Sequence, residues 1–178
     1  HIASNQIIRF IVGTGDHKPQ KKFSVNILGE YNIGGDGWEI ERILNRCGIE
    51  VVSAMTGTSC YRDMKNAHLA DLNLVQCHRS INYVADMMKD KYGLDWIKVN
   101  FIGVDATKKS IRAIGAYFND AELSARIEEV IADEENTIAD EMEYYKSKLK
   151  GKTAAIYVGG SRSHHYQILL QDLGMSTV

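Results

Sequence analysis

Short apolar runs bounded by glycine or polar residues recur along the chain at Phe23 to Leu28, Val51 to Met55, Leu72 to Val75, Ile97 to Ile102 and Ala154 to Val158. Each has the length of a strand buried on both faces. Between them the apolar positions change to a helical period, at Trp38 to Arg46, Tyr61 to Ala70, Ile81 to Lys91, Lys108 to Phe118 and Glu122 to Leu149. A last helical segment, His164 to Leu173, stops at Gly174, where a left-handed cap is expected. Strands alternating with helices predict crossover units, and the expected architecture is an α/β doubly wound, Rossmann-like parallel sheet with helices on both faces. In such a sheet ligands sit at the carboxyl ends of the strands, so the strand-to-helix loops are the first place to look for chemistry.

The polar stretch Gly13 to Lys22, which holds the single proline Pro19, predicts a linker. The apolar period of Ile2, Ile7, Ile8, Phe10 and Ile11 begins directly after His1, and Met175 to Val178 has the pattern of a new strand. An internal fragment of a longer protein is expected on that basis. The segment Glu122 to Leu149 is rich in acids, but they fall on every face. Leu123, Ile127, Ile131, Ile138, Met142, Tyr145 and Leu149 keep a helical spacing, so a solvated amphipathic helix is expected rather than a carboxylate metal site.

At 178 residues, 44% hydrophobic and 25% charged, the composition is that of a globular domain with a real core. A net charge of -2 carries no electrostatic footprint for nucleic acid or an anionic membrane, and no apolar run reaches the length of a membrane span. Neither nucleic acid nor membrane is expected as a partner, and a cytoplasmic location is expected. Cys47, Cys60 and Cys77 are spaced neither as a disulfide framework nor as paired zinc ligands.

Three strand-end loops carry the candidate chemistry. In Gly29-Glu30-Tyr31-Asn32-Ile33-Gly34-Gly35-Asp36, glycines allow a turn or a close backbone approach, and Asp36 is placed to cap the helix that starts near Trp38. Cys47 and Cys60 are expected as small core hydrophobes. Cys77, at the head of Cys77-His78-Arg79-Ser80, follows a strand and precedes a helix start and an arginine, which favours a thiolate acting as a nucleophile or a soft-metal ligand. Ser80 is placed to cap that helix and to donate to the sulfur. In Gly159-Gly160-Ser161-Arg162-Ser163-His164-His165, paired glycines and an arginine suit an anion, while His164 and His165 are expected as a surface pair at a helix start. One sulfur with an anion-friendly loop does not describe zinc; it better suits a preassembled anionic cluster that brings its own sulfides.

These loops resemble the molybdenum-iron protein alpha chains of nitrogenase, most of all the clostridial branch. The resemblance runs over nearly the whole chain: Gly29 to Asp36, Leu72-Asn73-Leu74-Val75-Gln76-Cys77-His78-Arg79-Ser80-Ile81-Asn82-Tyr83, Lys91-Tyr92-Gly93 with Trp96, Asn100 to Gly103, and Tyr157 to Arg162. It implies that Cys77 is the metal ligand, bonded to the terminal iron of an iron-molybdenum-sulfur cofactor with homocitrate. Tyr31, Ile33, Ser80, Gly159, Gly160 and Arg162 would bind that cofactor, and Arg79 and Arg162 are the implied catalytic residues. His1 resembles the second member of a His-His pair beside the cofactor. The resemblance further implies dinitrogen reduction to ammonia, a beta-chain partner in an alpha2-beta2 heterotetramer, an iron protein carrying MgATP, and an eight-iron P-cluster held by residues outside this stretch. Residues 1–150 are then expected to be a central α/β cofactor-pocket domain, with 151–178 opening a following α/β domain. The alternatives are the homologous cofactor-assembly scaffold subunit, the alpha chains of the vanadium and iron-only enzymes, and, from an unrelated class, a nucleotide-sugar or phosphate-binding doubly wound domain with Cys77 merely buried.

Overall fold

The computed structural model describes residues 2–31, 35–77, 79–158 and 162–178. By their contacts they form two compact units, His1–Val99 and Asn100–Val178. The first contains a four-stranded parallel sheet of β1 (Phe23–Glu30), β2 (Ile49–Thr56), β3 (Leu72–Val75) and β4 (Trp96–Lys98), in the order β2-β1-β3-β4. It also holds the helices α1 (Ile2–Ile11), α2 (Asp36–Arg46), α3 (Tyr61–Asn66) and α4 (Asn82–Tyr92).

The strand order reverses beside β1. From β1 the chain crosses outward to β2, then returns past β1 to β3 and continues to β4. Right-handed crossovers therefore put α2 on one face of the sheet and α3 and α4 on the other. The core agrees: Leu28, Met55 and Val75 pack with Ile8 and Val12 near the end of α1, Ala67 after α3, and Val84, Ala85 and Met88 of α4. Gly37, Ile40 and Leu44 are the buried positions of α2. Two buried asparagines join the central strands, with Asn26 Nδ2 donating to Asn73 Oδ1 at 2.9 Å and to the Ala67 carbonyl at 2.7 Å.

Several element ends differ from the sequence pattern, each for a local reason. β1 runs on to Glu30, passing Gly29 as a bulge with φ +85° and a register shift against β2. The helix expected over Tyr61 to Ala70 tightens after Asn66 into a 3-10 turn, Ala67–Leu69. β4 stops at Lys98 because Asn100 turns the chain: its Oδ1 accepts from Ile102 N at 2.9 Å, and its N–H donates to Ser110 Oγ at 2.8 Å. Asp36 does not cap α2; it is the first helical residue, behind a left-handed Gly35 that makes no side-chain cap.

The second unit comprises α5 (Val104–Phe118), α6 (Ala121–Leu149), β5 (Thr153–Ala154), α7 (Arg162–Asp172) and β6 (Ser176–Thr177). Helix α5 starts four residues earlier than the pattern indicated, directly after Gly103, with Thr107 Oγ1 donating back to the Gly103 carbonyl at 2.8 Å. The Asp120 side chain caps α6 by accepting from Leu123 N at 2.9 Å. Leu123, Ile127, Val130 and Ile131 are buried, and the acids of α6 face solvent or pair with α5, as in Arg112 to Glu128 at 2.7 Å. β5 and β6 pair in parallel as a separate two-stranded sheet, shorter than the run Ala154 to Val158. Within this unit α7 packs on α5.

Candidate functional site

The reversal in strand order opens a crevice at the carboxyl ends of β1 and β3, the two strands from which the chain departs in opposite directions. Tyr31 follows β1 there, and Gln76 and Cys77 follow β3. Gln76 N–H donates to the Leu28 carbonyl at 2.8 Å, extending the ladder by one rung beyond β3. The next residue, Cys77, then lies against the bulge. A Cβ built on Gly29 would lie 2.9 Å from both Cys77 Cβ and Cys77 N, so at this point the two chain segments meet in a way that only glycine permits.

Cys77 is half-buried, whereas Cys47 is buried and Cys60 is exposed at the residue before α3. Cys60 is thus a surface thiol and not the core hydrophobe the sequence suggested. Ser80 does not cap α4, which begins at Asn82 with Ile81 in the cap position and no side-chain cap. Its hydroxyl shares a 2.9 Å hydrogen bond with the Tyr31 hydroxyl and donates to the Cys77 carbonyl at 3.4 Å. Tyr31, Cys77 and Ser80, all singled out in the sequence, are therefore joined across the crevice. Arg79 is exposed in the turn before α4.

Behind the thiol lie two residues that sequence reasoning passed over. Glu30 and Gln76 are both buried, and Gln76 Nε2 donates to Glu30 Oε2 at 2.7 Å. The available signal was an acid at the end of one apolar strand and an amide directly after the end of another. Ile33, Gly159 and Gly160 lie outside the described residues, as do His1 and His78; Arg162 is described as the first residue of α7. Of the second candidate pair, His164 is exposed but His165 is buried, so the expected surface pair is only half at the surface. A helix turns successive side chains by about 100 degrees, which is enough to send one of two neighbours inward.

The donor set has a definite chemistry. Among the described residues no group of three or more His, Cys, Asp or Glu side chains could hold a metal ion. A single half-buried sulfur, on a backbone packed closely against Gly29, fits a ligand that arrives assembled and needs one soft anchor and hydrogen-bond donors. A polar cleft of about 760 Å³, lined by residues including Asp16, His17, Glu50, Arg62 and Lys65, contains none of the sequence-predicted site residues.

A family model described as nitrogenase component 1 type oxidoreductase matches residues 1–178. The chain belongs to this family. It is 53% identical over its whole length to the nitrogenase molybdenum-iron protein alpha chain of Clostridium pasteurianum and 48% identical to that of Methanosarcina barkeri, covering 33% and 34% of those chains. It is also 41% identical over 177 residues to a nitrogenase iron-molybdenum cofactor biosynthesis protein of Methanococcus maripaludis, covering 37% of it. The solved structure of nitrogenase Cp1 at pH 6.5 superposes on all of this nitrogenase-family chain with a TM-score of 0.95 at 53% identity, 34% of that chain being covered. The chain thus spans about a third of the length of the curated relatives it matches. An ABC transporter substrate-binding protein from Listeria monocytogenes matches with a TM-score of 0.53 at 14% identity, which reflects the α/β fold alone.

Proposed function

We propose that this chain is part of the catalytic alpha subunit of a molybdenum nitrogenase and that Cys77 anchors an iron-molybdenum-sulfur cofactor carrying homocitrate. The observation that carries the reading is the half-buried Cys77 thiol at the strand-order reversal, its backbone packed so closely on Gly29 that a side chain there would have no room. The bound cofactor would supply the redox chemistry by which dinitrogen is reduced to ammonia. The protein's part is to hold and orient it. Cys77 provides the soft thiolate, while the Tyr31 and Ser80 hydroxyls, already hydrogen-bonded to each other, form a polar wall. Ile33 would line the pocket. The backbone N–H groups of Gly159 and Gly160, with the Arg162 and Arg79 guanidiniums, would donate to an anionic cluster.

In this reading the full subunit pairs with a beta chain as an alpha2-beta2 heterotetramer in the cytoplasm. It receives electrons from an iron protein carrying MgATP by way of an eight-iron P-cluster. Among the described residues no helix is long and apolar enough to cross a membrane. The similarity to a cofactor biosynthesis protein favours a second reading, in which the same pocket holds the cofactor during assembly. The test is ammonia formation by the full-length subunit with its beta partner, iron protein and MgATP, beside metal analysis. Ammonia formed with molybdenum bound is the expected result. Cofactor bound without ammonia formation would identify the assembly scaffold, and vanadium, or iron without molybdenum, would identify the alternative enzymes.

A further inference from the structure

Glu30 and Gln76 form a buried polar pair, and Gln76 is the residue directly before Cys77. Glu30 is 2% and Gln76 3% exposed; Glu30 ends β1 and Gln76 directly follows β3, where the strand order reverses. Burying a carboxyl and an amide is costly unless they satisfy each other, and two apolar side chains of similar volume would stabilise the same strands at least as well. Even paired, the site is incompletely satisfied: Gln76 Oε1 is buried with no hydrogen-bond partner among the described residues. Gln76 immediately precedes Cys77. Its backbone N–H is tied to Leu28 at 2.8 Å and its side chain to Glu30 at 2.7 Å, so both ends of one residue are fixed to β1. The Glu30 carbonyl is held in turn by Gly57 N–H at 2.7 Å.

We propose that Glu30, acting through Gln76, is a positioning residue that sets the direction of the Cys77 thiolate toward the cofactor. The proposal rests on the reading of Cys77 as the cofactor anchor. A ligand held through a single sulfur can pivot about that bond, and a rigid tether one residue before the sulfur limits the pivot. Because the ligand field and the hydrogen bonds at sulfur govern the electronic state of such a cluster, a loosened tether would be visible in its spectrum even where the cluster is retained.

The experiment uses the full-length subunit assembled with its beta partner, and reads molybdenum per subunit, the paramagnetic signal of the resting cofactor and thermal unfolding. Glu30→Ala should keep molybdenum but broaden and shift the signal, whereas Glu30→Gln, which retains an acceptor oxygen for Gln76, should return the parent signal. The paired variant Glu30→Met with Gln76→Met replaces both polar partners, so it should recover the parent melting temperature while keeping the altered signal. That variant decides the matter if Glu30→Ala fails to fold. An unchanged signal in the paired variant, or a Glu30→Gln signal as disturbed as that of Glu30→Ala, overturns the positioning role. Cys77→Ala, run in parallel, separates the two ideas. Loss of molybdenum there with unaltered Glu30 variants overturns the tether alone, and full molybdenum there overturns the anchor and the tether with it.

Discussion

At the scale of single residues, Gly29 does more for the site than its small size suggests. It adopts φ +85°, and an added Cβ would collide with the backbone N and the Cβ of Cys77. Gly93 has φ +71° with nothing within 4 Å of an added Cβ, so it isolates the backbone part of the effect. Gly93→Ala should cost about 1 kcal/mol, the price of a left-handed alanine. Gly29→Ala should cost about 3 kcal/mol, since crowding of packed atoms adds to that strain; denaturant midpoints of the two variants check the difference. Asp172, at the end of α7, shows the opposite problem. Burial pushes its carboxyl above the ordinary carboxylate range, Asp105 adds to the shift, and Lys109, Lys146 and Lys108 oppose it. Its Oδ2 is buried with no hydrogen-bond partner among the described residues. A raised folded pKa means that the native state holds the proton more tightly than the unfolded chain. Asp172 therefore costs nothing at pH values below the ordinary carboxylate pKa, and its penalty grows as pH rises through the folded value. Asp172→Asn should melt at a higher temperature than the parent near neutral pH, and the gain should shrink as pH falls into the carboxylate range. A gain that grew with acidification would contradict this account.

At the scale of elements, the long helix α6 depends on its first turn. Asp120 accepts from Leu123 N at 2.9 Å, and this cap directs Leu123 and Ile127 onto α5. Asp120→Ala should lower stability by about 1 kcal/mol, the usual loss for an N-cap, measurable by denaturant unfolding. Which elements could be read from the sequence follows from the same physics. The cores of β1, β2 and β3 were legible because their apolar runs are uninterrupted, and α2, α4 and α6 because their periods are regular. The ends were not. Asn100 and Thr107 act through side-chain bonds to nearby backbone, a local chemistry that hydrophobic period does not record, so the end of β4 and the start of α5 were misplaced. Gly29 was legible as a point of close approach, but not as a bulge within β1. The strand order, on which the position of the site depends, is set by pairing between distant segments and follows from no single one of them.

At the scale of the whole molecule, the site combines residues that differ greatly in how visible they are in sequence. Cys77, Tyr31 and Ser80 stand in distinctive loops, and the structure brings them to one crevice. Glu30 and Gln76 carry no motif, and only the parallel pairing of β1 with β3 makes them neighbours. Because the chain spans about a third of its relatives, the account turns on whether the anchor within it is the right sulfur. Three cysteines in three settings make that a direct comparison: Cys77 half-buried at the crevice, Cys47 buried and Cys60 exposed. An iron-bound thiolate cannot be replaced by a methyl group, whereas a buried thiol that only fills space can be replaced at about 1 to 2 kcal/mol and an exposed one at almost none. The decisive measurement is molybdenum per subunit, with thermal unfolding beside it, for Cys77→Ala, Cys47→Ala and Cys60→Ala in the full-length protein. The account predicts a folded Cys77→Ala subunit without molybdenum, a slightly destabilised Cys47→Ala with full occupancy, and a Cys60→Ala that matches the parent in both. Full molybdenum occupancy in Cys77→Ala, or its loss from either of the other two while they remain folded, would contradict it.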